Sequence, residues 1–400
     1  MGKSMVAYKN QHYLPEFYFR FFSKDHESIE IYDINSGAIK RKGYKKLCSE
    51  SYFYSKIPDF EKSIHDLENS CREVLLKLMD REKLNLNEYF SLLYFISFQI
   101  SRTKKEKIFY ENIFDKFAKS KIKELYYEGK LFQEGHVEVF NQLDDFIFNA
   151  EGIGSSSIAH MSFMYLSLQS AILLADLKPL LLINETSNDF IFSDNPIIIY
   201  NKYFYNKKRH FATGFASHGL QIFCPLRPKI ILVLYDDNFY SFKGENKREI
   251  SIKTESDVNS LNSLQFFNCY QNIFFSDISQ RSYVLELHQK LKRNLNHKQD
   301  EYDWYLIPTS SLNLKISDVS NNGHAEERWI TVPNSNAETC LSVRGPNRNI
   351  IDYDLELSIM SLNTSASWEG PSRNPMLCKE YESHIEKQMS KFMEDSKGSC

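Results

Sequence analysis

The chain of 400 residues is 42% hydrophobic and 25% charged, a composition that fits a soluble globular fold with one large domain and an appendage, or with two domains. Lys and Arg (49) nearly balance Asp and Glu (52), so the formal charge is −3 and the global cationic field of a generic nucleic-acid binder is excluded. The 30 Phe and 24 Tyr against 14 Gly and 11 Pro predict heavy aromatic packing and few long linkers.

Cysteine usage points to reduced core thiols, since the 7 cysteines form no Cys-x-x-Cys pair and several lie in apolar segments. The N-terminus has no apolar run that would serve as a signal peptide, and no later window approaches the length of a spanning helix, so a cytoplasmic protein with no membrane partner is expected.

In chain order, the first feature is Asn10 to Phe22, which packs a histidine, a proline, an arginine and six aromatic rings into one short stretch and reads as a site wall or core plug. Alternating residues either side of Asn35-Ser36-Gly37 predict a β-hairpin. From Pro58 the period lengthens to that of an amphipathic helix along Phe60, Ile64, Leu67, Cys71, Leu75 and Leu78, with Asp59 as N-cap and Glu61, Lys62, Glu68 and Arg72 on its outer face. A second helix, from near Asn87 to about Lys107, is apolar almost all round and is interrupted by Gln99 and Arg102, three apart on one face. Helices are expected over residues 109–127, 136–148 and 158–177.

Beyond Pro179 the pattern turns to strands at residues 180–183, 190–192, 197–200, 221–226 and 229–235, with a Ser193-Asp194-Asn195-Pro196 corner among them. Helix returns over residues 257–272 and 283–295. Residues 300–353 carry short β-like pieces between Asn, Ser, Gly and Pro clusters, and a last helix is expected over 378–393. The fold class is therefore α+β: a helical middle third packed with a mostly antiparallel or mixed sheet, plus a small β-rich C-terminal appendage. The boundaries read as a core domain at 8–277, a helical connector at 278–299 and the β-rich region at 300–400.

The run His12-Tyr-Leu-Pro-Glu-Phe-Tyr-Phe-Arg-Phe-Phe22, then Leu67-Glu68, Gln99-x-x-Arg102-Thr103, Ser193-Asp-Asn-Pro196, Phe223-x-Pro-Leu226 and Asn259-x-x-Asn262, resembles the bacterial DUF4238 family over about residues 8–277. Gln11 departs from the second basic residue that many of its members place there. The resemblance implies an intracellular effector, since relatives occur in anti-phage defence loci, and leaves the reaction open.

Each candidate residue has a functional and a structural reading. His12 has the chemistry of a general base or metal ligand, or of a buried histidine on a carbonyl. Arg20 and Arg102 suit a phosphate or carboxylate clamp, or internal ion pairs with Glu16, Glu68 or Asp194. Asp194 and Asn195 offer oxygen ligands to a divalent cation, or only turn chemistry. Lys207, Lys208 and Arg209, like Lys40-Arg41-Lys42, can meet a phosphate or form an exposed turn. Arg281-x6-His288 and Arg293-x3-His297 lack the full helical-endoribonuclease pattern. Phosphate-loop, dinucleotide-binding, zincin and serine-hydrolase motifs are absent.

The leading expectation is a toxin-like or defence hydrolase on nucleic acid or nucleotide, with His12 as base and Arg20, Gln99, Arg102 and Asp194 completing the site. Asn195, Lys207, Lys208 and Arg209 are the binding candidates; no cofactor is specified, and a divalent cation is left open. The alternative is a non-enzymatic sensor or scaffold whose same residues form a buried polar network and whose residues 300–400 bind a protein partner.

Overall fold

The structure is a computed structural model, and it describes residues 10–54, 58–127, 156–201, 214–215, 217, 219–236, 240 and 248–295. The helix expected at 136–148, the basic Lys207-Lys208-Arg209 loop and the whole region 300–400 lie outside those residues.

The aromatic opening folds as a short strand β1 (Asn10–His12) and one helix, α1 (Glu16–Phe22), whose Phe17, Tyr18, Phe19 and Phe22 are buried. The hairpin follows as β2 (Ser28–Asp33) and β3 (Ile39–Gly43), and β4 (Ser49–Ser51) returns to pair with β1. Its turn closes because Asp33 Oδ1 accepts the N–H groups of Asn35 and Ser36 while Gly37 takes a φ of +70°.

Three long helices come next: α2 (Pro58–Met79), α3 (Leu86–Ser101) and α4 (Lys104–Tyr127). The second begins on a full capping box, Asn85 accepting from the Glu88 N–H and Glu88 from the Asn85 N–H. Two sequence expectations are corrected here. Pro58, whose fixed φ suits a first helical turn, already lies in α2, so Asp59 sits inside the helix. The helix expected to run to Lys107 ends at Ser101, because Arg102 relaxes to φ −90°, ψ −6° and the Thr103 hydroxyl opens α4 by accepting from the Glu106 N–H.

After α5 (Ser156–Gln169) and a 3₁₀ turn (Ser170–Leu174), the chain lays down β5 (Lys178–Asn184), β6 (Phe192–Ser193), β7 (Ile198–Tyr200), β8 (Gln221–Arg227), β9 (Ile230–Tyr235) and β10 (Glu249–Ile252). Helix α6 (Glu255–Asn268), strand β11 (Asn272–Phe275) and helix α7 (Arg281–Leu295) complete the described chain. One sheet runs β10–β5–β9–β8–β7, antiparallel except where β10 lies parallel to β5. A second runs β3–β2–β11–β6 and is antiparallel throughout, and β1 with β4 forms a small two-stranded sheet of its own. The fold is α+β.

Alternation along the apolar strands divides the interior into two cores. In β9, Ile230, Leu232 and Leu234 face the core made with α1, α2 and α3, while Ile231, Val233 and Tyr235 face the core made with α6 and α7. Strand β11 does the same, with Phe274 on the helical side and Ile273 and Phe275 on the other. The opening stretch is the hub of the first core: Tyr18, Phe19 and Phe22 pack on Phe192, and the rings of Phe19 and Phe274 meet edge to face at 5.0 Å.

Candidate functional site

The residues nominated from the sequence fall in three separate settings. Arg20 ends the first helix exposed to solvent, its Nε donating to the Tyr44 hydroxyl at 3.2 Å. Asp194 is sealed. Its carboxylate accepts the backbone N–H groups of Tyr270, Gln271 and Asn272 at 2.7, 2.9 and 2.8 Å, which fastens the corner before β7 to the turn before β11. Burial raises its pKa while those backbone bonds act to lower it.

Asn195 belongs to the same corner, and α6 reads that corner with a row of carboxamides spaced three apart. Asn262 accepts from the Ile191 N–H and donates to the Asp189 carbonyl; Gln265 accepts from the Ser193 N–H and hydroxyl and donates to the Pro196 carbonyl; Asn268 donates to the carbonyls of Asn195 and Ile197. Each pairs with main-chain groups of the corner, so α6 buries its polar face as well as its apolar one.

Gln99 and Arg102 meet in the third setting. Arg102 is fully buried at the end of α3, its Cζ 5.0 Å from the centre of the Phe98 ring. Its Nη2 donates both to Glu68 Oε1 at 2.6 Å and to the His12 carbonyl at 2.8 Å, and Tyr54 Oη donates to that carbonyl at 2.9 Å. Gln99 Nε2 donates to the Tyr13 carbonyl at 3.1 Å. The sequence-nominated His12 therefore enters the cluster through its backbone. Its ring turns away, with Nε2 3.0 Å from the Lys45 carbonyl and 3.7 Å from Glu16 Oε1.

What marks this cluster is its unused valence. Arg102 Nε and Nη1, Gln99 Oε1, His160 Nδ1 and Glu61 Oε2 are all buried without a hydrogen-bond partner among the described residues. His160, on α5, stacks on Tyr54 at 5.8 Å and sits 3.0 Å from the Ser101 carbonyl through Nε2, so Nε2 carries the proton and Nδ1 presents a lone pair. Glu61 lies near enough to Arg102 and Glu68 to feel both charges yet makes no ion pair with the guanidinium. Burial, with Glu68 adding, pushes its pKa to about 7 although Arg102 opposes the rise. Burial likewise lowers His160 to about 4.

The sequence reading placed Glu61 and Glu68 on the outer face of α2; both face the Arg102 cluster instead. Seven residues apart, they extend the inner line of Ile64, Cys71 and Leu75, and that spacing was the available signal. His160 gave the same signal as Gln99 and Arg102, a polar residue inside an apolar helix. Of the remaining nominees, His288 Nδ1 meets the Tyr32 hydroxyl and its ring stacks on Phe266 at 5.5 Å, while Arg281 is exposed. Lys207, Lys208 and Arg209 lie outside the described residues.

A family model described as "Protein of unknown function (DUF4238)" matches residues 10–279. The chain belongs to the DUF4238 family. No curated protein and no solved structure matches it. The DUF4238 match takes in the whole Arg102 cluster and the α6 carboxamide row, and it stops before α7. Among the described residues of this DUF4238 protein, no three His, Cys, Asp or Glu side chains converge as a metal ion requires, and no helix is long and apolar enough to cross a membrane.

Proposed function

We propose that this DUF4238 protein is an intracellular hydrolase of a small phosphate-bearing substrate, of nucleotide type, acting as an effector in anti-phage defence. The observation that carries the reading is the pair of unpartnered guanidinium nitrogens of Arg102 beside Glu61, a carboxyl that titrates near neutrality. A guanidinium held through Nη2 by Glu68 and the His12 carbonyl keeps its Nε–H and Nη1–H groups for other acceptors, and phosphate oxygens accept such charged donors. Ionised Glu61 takes a proton from water as the water oxygen bonds to phosphorus; the phosphorus–oxygen bond to the leaving group breaks, and the proton passes on to the departing oxygen. Arg102 offsets the charge on the phosphoryl oxygens. The depth of Arg102 favours a small substrate over a polymer, because a duplex has no side chain it can send to a fully buried guanidinium.

A test incubates the purified protein with nucleotide pools, RNA and DNA, with and without Mg²⁺ or Mn²⁺. Turnover of a nucleotide is expected, with Glu61→Gln lowering kcat by about a hundredfold or more while folding is retained. A folded wild-type protein that turns over no phosphate ester, or a Glu61→Gln variant at full rate, overturns the reading.

A second reading rests on how thoroughly Asp194 and one side of Arg102 are satisfied by the fold itself. There the cluster binds the anion without turnover, as in a sensor, and residues 300–400 supply a partner-binding region. Tight phosphate-ester binding with no product, lost in Arg102→Lys, selects it.

A further inference from the structure

Strand β3 has the sequence Ile-Lys-Arg-Lys-Gly, and its pleat separates the three cations. Arg41 is paired on one face, 2.7 Å from Asp25 Oδ2 and 3.6 Å from Glu30 Oε1. Lys40 and Lys42 project to the other face, where neither ammonium has a carboxylate partner among the described residues. That face is hollowed into a cavity of about 230 Å³. Its floor is apolar, from Ile31, Phe274 and Leu47, and its wall carries the carboxamides of Gln271 and Asn272.

The register explains why these groups meet: Lys40 lies opposite Ile31, Ile31 opposite Phe274, and Asp33 opposite Asn272, all on one face of the sheet. Asp33 is the one carboxylate in the lining, and it is already committed to the N–H groups of Asn35 and Ser36 and to Gln271 Nε2 at 2.9 Å. Its charge offsets one of the two ammonium groups without an ion pair to either, so the cavity stays net positive, and it holds Gln271 in place.

We infer that this cavity is a binding site for a small organic phosphate, distinct from the Arg102 cluster. Two ammonium groups two residues apart, neither in an ion pair among the described residues, attract the charged head of a phosphomonoester, the carboxamides suit the hydroxyls of its carbon skeleton, and the apolar floor takes the skeleton itself. The volume falls below the roughly 300–1,000 Å³ of pockets for drug-sized ligands, which favours a sugar phosphate or mononucleotide over anything larger. The site stands whether or not the Arg102 cluster turns over a substrate.

Calorimetric titration of the full chain tests it, with ribose 5-phosphate, adenosine monophosphate, inorganic phosphate and uncharged adenosine as probes. The Glu61→Gln variant serves as the parent protein so that turnover does not enter the heat. Binding of one or both phosphomonoesters is expected, weakened at least about tenfold by Lys40→Gln combined with Lys42→Gln and unchanged by Arg41→Gln, which alters the opposite face. No binding of any phosphomonoester at millimolar concentration overturns the inference. So does equal binding by the double-lysine variant, or binding of adenosine as tight as that of its monophosphate.

Discussion

Glu61 and His160 titrate in opposite senses inside one cluster, and the difference is measurable as stability. The folded state holds a proton on Glu61, at about 7, that the unfolded chain has released, so this group makes stability fall as pH rises from the ordinary carboxylate range toward 7. The folded state refuses a proton on His160, at about 4, that the unfolded chain takes up below its ordinary value, so this group makes stability fall as pH drops from about 6.5. The two slopes oppose each other between those limits, and Glu61 alone acts as pH passes 6.5 toward 7. Denaturant unfolding at a series of pH values is expected to show Glu61→Gln abolishing that last decline, a gain of no more than about 0.5 kcal/mol once the partial exposure of the carboxyl is allowed for. The remaining slope in the variant rises with pH. At this scale Gln99 and Arg102 could be read from sequence because polar groups stand out in an apolar helix, whereas Glu61 was hidden: charged residues of an amphipathic helix are ordinarily solvated, and only a partner from α3 turns this one inward.

At the scale of elements, α6 buries a polar face as well as its apolar one. Asn262, Gln265 and Asn268 lie on one face and satisfy main-chain groups of residues 189–197. Gln265→Leu removes an acceptor for Ser193 and a donor for Pro196 at once, and the expected loss is about 3 kcal/mol in urea unfolding, with Gln265→Glu intermediate because it keeps the acceptor. Apolar periodicity finds Val258, Leu261 and Phe266 here but cannot find the carboxamide row, since a hydrophobic scale scores it as surface. Sequence pattern also predicts helix to residue 272, whereas α6 ends at Asn268 and strand β11 begins at Asn272. Four residues bear little pattern, and β11 exists because β2 and β6, distant in sequence, flank it.

For the whole molecule, the family boundary and the fold boundary differ. The match ends at residue 279, whereas α7 buries Val284, Leu287 and Leu291 against the second core. A chain ended after residue 279 is expected to unfold with about 5 kcal/mol less stability than one ended after residue 295, read from denaturation midpoints of the two. The α+β class and the helical and strand-rich halves of the core were legible because long periodic segments dominate them. The pairing of β10 beside β5, and the separation of Asp194 from Arg102, were not, because both depend on contacts between distant segments. The lysines of β3 carry one more consequence. Among the described residues that strand is the outer edge of its sheet, and its alternating cations repel a second copy approaching along that edge. The same two side chains that line the cavity thus also guard the edge, and removing their charge is expected to favour edge-to-edge self-association, which sedimentation of the double-lysine variant against the parent protein checks.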